Sequence, residues 1–146
     1  MQKINLEFLC DLTIQMAPSC HFGVSGYGNH HFVEIAGGQF EGPKLTGKIN
    51  SVGAMWLSDS DANYCLETED GALIHLRNPG IYRAEPSVEF GCSRAFAMRD
   101  PKNMYFRTTP TFGTDDQKYA WLNRSLYVGT GQKTPDSIEM SFYEIK

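Results

Sequence analysis

The sequence contains no apolar run near the ~18 residues that a membrane-spanning helix needs, and its first turn of chain carries Glu7 and Asp11 where a signal peptide is continuously apolar. A soluble, unexported, cytoplasmic protein without a membrane partner is the expectation. Basic clusters are missing as well. The 13 Lys and Arg residues are scattered among 17 Asp and Glu, for a formal charge of −4, so the footprint of a nucleic-acid binder is absent. Cys10, Cys20, Cys65 and Cys92 are widely spaced and form no C-x-x-C pair, which argues against a zinc knuckle or a redox motif and for reduced thiols. There is no G-x-S-x-G elbow and no cysteine in a nucleophile motif with a paired histidine. Gly23, Gly26 and Gly28 have neither the order nor the strand-to-helix setting of a dinucleotide fingerprint, and read as a flexible connection. His30 and His31 are adjacent, so in a strand they point to opposite faces and cannot share a metal. No metal and no cofactor are expected.

What is present is short-period alternation. With 146 residues, 41% hydrophobic and 21% charged, the chain is the size of one domain with an ordinary core, so residues 1–146 are read as a single unit. In residues 4–14, Ile4, Leu6, Phe8, Cys10, Leu12 and Ile14 fall on one face, with Leu9 as the exception. That is the pattern of a strand with one buried side. Strands also fit 32–36 and 49–57, and the glycines at 37, 38, 42 and 47 suggest a sharp bend or bulge between them. Residues 63–69 and 72–78 flank Asp70-Gly71, a pair suited to a two-residue type I′ turn. That turn sets Leu66 opposite His75 and Tyr64 opposite Arg77, so Tyr64, His75 and Arg77 share a face. Helix is expected only over 93–99, between Ser93 and Asp100-Pro101. A turn is read over 129–136, and 138–143 alternates to finish the sheet. About nine strands with scarcely any helix make an all-β chain, either barrel or sandwich.

Chemistry concentrates in 104–123. Read as two strands around the loop 113–118, this stretch places Tyr105, Arg107 and Thr109 on one face, and Tyr119, Trp121 and Asn123 on one face of the next. If the two faces coincide, they form a pocket wall. Arg107 could hold a carboxylate, enolate or phenolate, or could instead pair with an exposed carboxylate across the sheet for ~0–1 kcal/mol. Asn123 needs partners among aromatics, and a ligand can supply them. Glu41 sits in a glycine-rich bend, as a solvated carboxylate or a pocket acid. Trp56 and Trp121 fit either core or ligand contact.

The segments Gly37-Gly38-Gln39-Phe40-Glu41-Gly42-Pro43-Lys44-Leu45-Thr46-Gly47, Asp70-Gly71-Ala72-Leu73-Ile74, Tyr105-Phe106-Arg107-Thr108-Thr109-Pro110 and Tyr119-Ala120-Trp121-Leu122-Asn123 resemble the motifs of an uncharacterised bacterial and fungal family, domain of unknown function 3237, in its order and spacing. The resemblance implies a small closed antiparallel barrel similar to the allene oxide cyclase and dirigent barrels, with a short helical or irregular insertion, and brings no established activity. The family usually carries Asp, Arg and Glu where this chain has Met55, Asn63 and Gly113.

The functional expectation is a barrel that binds a small hydrophobic or aromatic metabolite of the secondary-metabolism kind, bearing a carbonyl, phenol or carboxylate. If it is catalytic, it is a cofactor-independent isomerase, cyclase or lyase. Arg107 and Asn123 would then stabilise oxygen charge and Glu41 or a tyrosine would move the proton, while Trp56, Tyr64, His75, Arg77, Tyr105, Tyr119 and Trp121 would contact the substrate. The alternatives are a non-catalytic carrier or sensor and a structural subunit of a homo-oligomer.

Overall fold

The structure, a computed structural model, describes residues 1, 3–18, 20–25, 28–56, 61–84, 104–134 and 136–146. The helix expected over 93–99 lies outside these residues. Eleven strands are present among them: β1 (Leu6–Met16), β2 (Cys20–Ser25), β3 (Gly28–Glu41), β4 (Thr46–Trp56), β5 (Asp61–Thr68), β6 (Leu73–Asn78), β7 (Gly80–Ala84), β8 (Met104–Thr108), β9 (Thr111–Gly113), β10 (Tyr127–Lys133) and β11 (Ser137–Ile145). They form one sheet in the order β7-β8-β10-β11-β1-β3-β4-β5-β6-β9, with β2 paired to β3. The sheet is antiparallel and curls into a half-barrel around Leu12, Phe40, Leu66, Ile74, Leu76 and Phe142, all at most 2% exposed. Burying each such side chain contributes ~1.5–3 kcal/mol, which is what alternation with period two secures.

The curl has a local cause. Register shifts interrupt β1–β3 at Gln15/Met16, β3–β4 between Glu34 and Gly38, and β4–β5 between Ile49 and Gly53. Extra residues on neighbouring strands bend the sheet there. Gly38 makes the bend possible, because at φ +153° a Cβ would stand 2.1 Å from the Thr13 carbonyl oxygen.

Five sequence expectations change. The exception at Leu9 is a bulge: the β1–β11 register shifts between Phe8 and Cys10, so Leu6 and Phe8 face outward at 57% and 40% exposure, while Cys10, Leu12 and Ile14 face in. The connection expected around 23–28 includes a strand, β2, hairpinned onto β3. The turn expected over 129–136 is mostly strand, since β10 runs to Lys133. The hairpin at Asp70-Gly71 has a three-residue loop. Thr68 N–H donates to the Ala72 carbonyl at 3.0 Å, Ala72 N–H donates back to Thr68 Oγ1 at 2.9 Å, and Gly71 takes φ 87°. This is the loop in which a left-handed glycine follows a tight turn. It pairs Tyr64 with Leu76 and Asn63 with Arg77, one residue away from the expected register. A one-residue slip exchanges faces, so Tyr64 is buried and His75 and Arg77 are exposed.

The expected strand over 119–123 is a 3-10 turn, Ala120–Arg124. Local side-chain bonds outcompete the ladder there: Asp116 Oδ1 accepts Lys118 N–H at 2.9 Å, and Asn123 both accepts from Thr114 N–H at 3.1 Å and donates to the Thr114 carbonyl at 2.7 Å. The strand order ends in β7 and β9, and these ends are neighbours in the chain's pairing. Only Pro79 separates β6 from β7, only Thr109-Pro110 separates β8 from β9, and the β6–β9 and β7–β8 ladders keep one register across both prolines. Thr109 N–H donates to the Pro79 carbonyl at 2.9 Å.

Candidate functional site

The concave side of the sheet carries polar groups that the described residues leave without a hydrogen bond of standard geometry. Tyr64 on β5, Asn78 at the end of β6 and Thr108 at the end of β8 are 2–3% exposed. Among the described residues the Tyr64 hydroxyl, Asn78 Oδ1, Thr108 Oγ1 and the Tyr127 hydroxyl make no hydrogen bond of standard geometry, although the Asn78 side chain lies close enough to Tyr64, and Ser125 to Tyr127, to oppose the rise of each phenol's pKa. Asn78 spends its amide N–H on Met140 Sδ at 3.3 Å, a weak acceptor. An unpaired buried polar atom costs ~1–3 kcal/mol, so keeping several on one inner face is unusual. Tyr64, Asn78 and Met140 border an internal cavity with Ile14, Met55 and Phe106, and its ≈ 10 Å³ is near the space one water needs.

The electrostatics of this interior are those of neutral donors. Burial drives the Tyr64 phenol well above its usual range. Cys10 nearby adds to the shift, and the Asn78 amide opposes it. Burial, then Asp11, pushes the Cys10 thiol up to about 12. Both groups stay protonated at neutral pH, so Tyr64 donates a hydrogen bond and does not serve as a base. Met55 lies in the cavity wall at 5% exposure. At this position the family that the chain resembles usually carries Asp, so the wall here has a thioether where the resemblance implies an acid. Asn63 and Gly113, the other two neutral departures, are exposed.

Lys133 is a residue that sequence reading missed. On β10 the buried Tyr127 and Gly129 alternate with outward neighbours, and a Cβ on Gly129 or Gly131 would meet the inner rings of Phe142 or Phe106 at 2.8 and 2.9 Å. By the same alternation Lys133 belongs to the inner side, two residues beyond Gly131. Burial lowers its pKa, the direction expected of an ammonium moved out of water. The run Tyr127-Gly129-Gly131-Lys133 carried the signal, but its glycines suggested a turn.

The other nominated groups lie elsewhere. Arg107 is on the convex face of β8, where Nη1 donates to Thr130 Oγ1 at 2.8 Å and to the Phe106 carbonyl at 2.9 Å. It stacks on the exposed Tyr105 ring at 5.1 Å, and Arg83 approaches the same ring at 4.6 Å. Glu41 is exposed at the end of β3, beside an open groove of ≈ 430 Å³ that also includes Lys48 and Glu67. Arg77 pairs with Asp61 at 3.1 Å, and His75 is exposed. Asn123 is exposed and committed to Thr114. Tyr119 is buried with its hydroxyl donating to Asp70 at 2.9 Å, and half-buried Trp121 packs on the core under the Lys44 ammonium at 5.6 Å. The Trp56 side chain falls outside the described residues. Of the ten, the structure puts Tyr64 at the inner cavity and does not bring Arg107, Asn123 and Glu41 together.

Among the described residues no three His, Cys, Asp or Glu side chains gather to hold a metal, and no helix is long and apolar enough to cross a membrane. The family model described as "Protein of unknown function (DUF3237)" matches residues 4–145. A UPF0311 protein of Rhodopseudomonas palustris strain TIE-1 is 28% identical over 149 residues, 97% of each chain. A crystal structure of a conserved protein of unknown function from R. palustris superposes with TM-score 0.88 at 27% identity, covering 100% of both chains. A beta-barrel like protein from Acinetobacter baumannii does so at 0.82 and 31%, covering 100% of this chain and 98% of that one. An enzyme from Penicillium herquei shares the fold at TM-score 0.68 and 20% identity, covering 100% and 97%.

Proposed function

This chain belongs to the DUF3237 family of proteins of unknown function, and from that premise we propose that it is a cytoplasmic small-molecule-binding barrel whose ligand enters the interior beside Tyr64. The reading takes the half-barrel as one that closes, with β6–β7 and β8–β9 forming the final seam through their common register. The observation that carries it is the set of inner atoms that make no hydrogen bond of standard geometry among the described residues, the Tyr64 hydroxyl, Asn78 Oδ1 and Thr108 Oγ1. A hydrophobic or aromatic molecule with a carbonyl or phenol oxygen would satisfy them and bury its remaining surface against Ile14, Ile35 and Phe106. Met55 and Met140 are the walls that must give way, and unbranched thioethers repack at small cost.

A second reading, turnover, is favoured by Lys133 and by the fold shared with a protein called an enzyme. Tyr64 and Asn78 would polarise a substrate oxygen from the floor, while the Lys133 amine would take or return a proton near the mouth, without a cofactor. The wall is neutral at Met55, so binding without chemistry is the primary proposal.

The test is native mass spectrometry on protein from its own cells, followed by titration with 2-naphthol and 2-naphthaldehyde as probes. A retained or titrated molecule that Tyr64→Phe weakens about tenfold supports the site. A bound molecule indifferent to Tyr64→Phe and Asn78→Leu refutes it. Conversion of a bound molecule that ends with Lys133→Met would select the second reading.

A further inference from the structure

The convex face opposite this interior has an apolar patch laid out in rows. Leu6, Ile145 and Leu126 lie side by side across β1, β11 and the start of β10, through the Leu6–Ile145 pair and the Ile145 N–H bond to the Leu126 carbonyl at 2.9 Å. Phe8, Tyr143 and Val128 form the next row, with Phe8 and Tyr143 packed edge to face at 5.8 Å. Leu6 is 57% exposed, Phe8 40% and Leu126 72%, and Ile4 just upstream is 75% exposed. At the ~150–250 Å² that a large side chain can bury, these four present on the order of 500 Å². That is the upper range for a monomer's largest apolar patch, and with Tyr143, Val128 and Ile145 added it approaches the ~800 Å² per partner of a stable interface.

The third row decides what covers it. It reads Asp11, Ser141, Thr130, with Ser141 donating to the Asp11 carboxylate at 2.5 Å and the Arg107 guanidinium held over Thr130 at 2.8 Å. A carboxylate therefore lies one strand to one side of β11 and a guanidinium one strand to the other side, at the same height. Neither makes an ion pair among the described residues. We infer that a second copy of this chain docks here about a two-fold axis running along β11. That axis sets Leu6 against the partner's Leu126, Phe8 against the partner's Val128, and Asp11 against the partner's Arg107, while Tyr143 and Ile145 meet their own counterparts. An axis across the strands would pair none of these charges, and a lipid surface would leave the Asp11 carboxylate against headgroups without a matching cation. The interface is isologous, so each contact occurs twice.

Sedimentation equilibrium of the full chain tests this, with circular dichroism to confirm the fold of each variant. The wild type is expected to be dimeric at about 100 μM, with Phe8→Asp and Leu126→Asp monomeric. D11R and R107D each set like charges against one another and weaken self-association at least about tenfold, and an equimolar mixture of the two restores it as a heterodimer. A monomeric wild type overturns the inference, including one that instead pellets with anionic vesicles. So does a dimer insensitive to D11R and R107D, or a mixture that fails to re-pair. These outcomes are independent of ligand binding inside the barrel.

Discussion

The two ends of the half-barrel differ in how completely they settle their polar groups. At the end where β5 turns into β6, Asp70 accepts from Thr68 at 2.6 Å, Tyr119 at 2.9 Å and Lys118 at 2.5 Å. Beside it Glu7 joins Lys44 and Lys146, and buried Glu144 accepts from Ser125 and Lys146. Every member of that network has a partner. Around Tyr64, Asn78 and Thr108 the balance differs: buried polar atoms make no hydrogen bond of standard geometry among the described residues, and methionines line the wall. The contrast is one of degree, since the Tyr127 hydroxyl beside Glu144 also lacks a bond of standard geometry among the described residues, and it makes the interior around Tyr64 the less satisfied of the two regions.

The largest test of this contrast is packing. Phe142→Ala should cost ~3–5 kcal/mol in denaturant unfolding, because its ring is fully buried against Phe112 and closely approached by Gly129. Met55→Leu in the cavity wall should cost less than ~1.5 kcal/mol. Equal losses would remove the distinction between a rigid end and an adaptable one.

Next in size is the unpaired hydroxyl. Tyr64→Phe deletes a hydroxyl that makes no hydrogen bond of standard geometry among the described residues, so it should leave the protein as stable or up to ~1–3 kcal/mol more stable, while weakening any interior ligand. A destabilised Tyr64→Phe would mean that the bond is already made inside the apo protein.

The ends should also separate by pH. Asp70, Glu7 and Glu144 have carboxyl groups held below their usual range, first by side-chain hydrogen bonds to Lys118, Lys44 and Lys146 respectively. A depressed folded pKa adds stability above the unfolded value of ~4, and that stability is lost as pH falls through the folded one. Asp70→Asn should therefore narrow the difference in melting temperature between neutral and acid pH. Cys10 acts on the other limb. Its folded pKa, about 12, lies above the unfolded ~8.5, so stability falls as pH rises between them. Cys10→Ala should flatten that alkaline loss and leave the acid limb unchanged. The smallest effects belong to the convex face: His75→Ala and Arg77→Ala should leave interior binding unmoved in the same titrations.

How much of this was legible in the sequence depends on the scale of the feature. Alternation revealed most strands, because burying one face of a sheet leaves a mark every second residue. It failed wherever one residue was inserted. Leu9 looked like noise and is a bulge, and the Asp70-Gly71 loop has three residues because Thr68 closes it. That single residue moved His75 and Arg77 outside and left Tyr64 within. Lys133 was hidden by glycines that here serve close packing against Phe142 and Phe106 rather than a turn.

By itself the sequence determined an all-β chain, its family and the aromatic and amide side chains available for binding, because composition and local period are properties of neighbours along the chain. The tertiary structure alone decided which of those side chains face each other. Facing is a matter of register, and register is chosen by loop length, bulges and the glycines that let strands pass within 2–3 Å of where a side chain would stand.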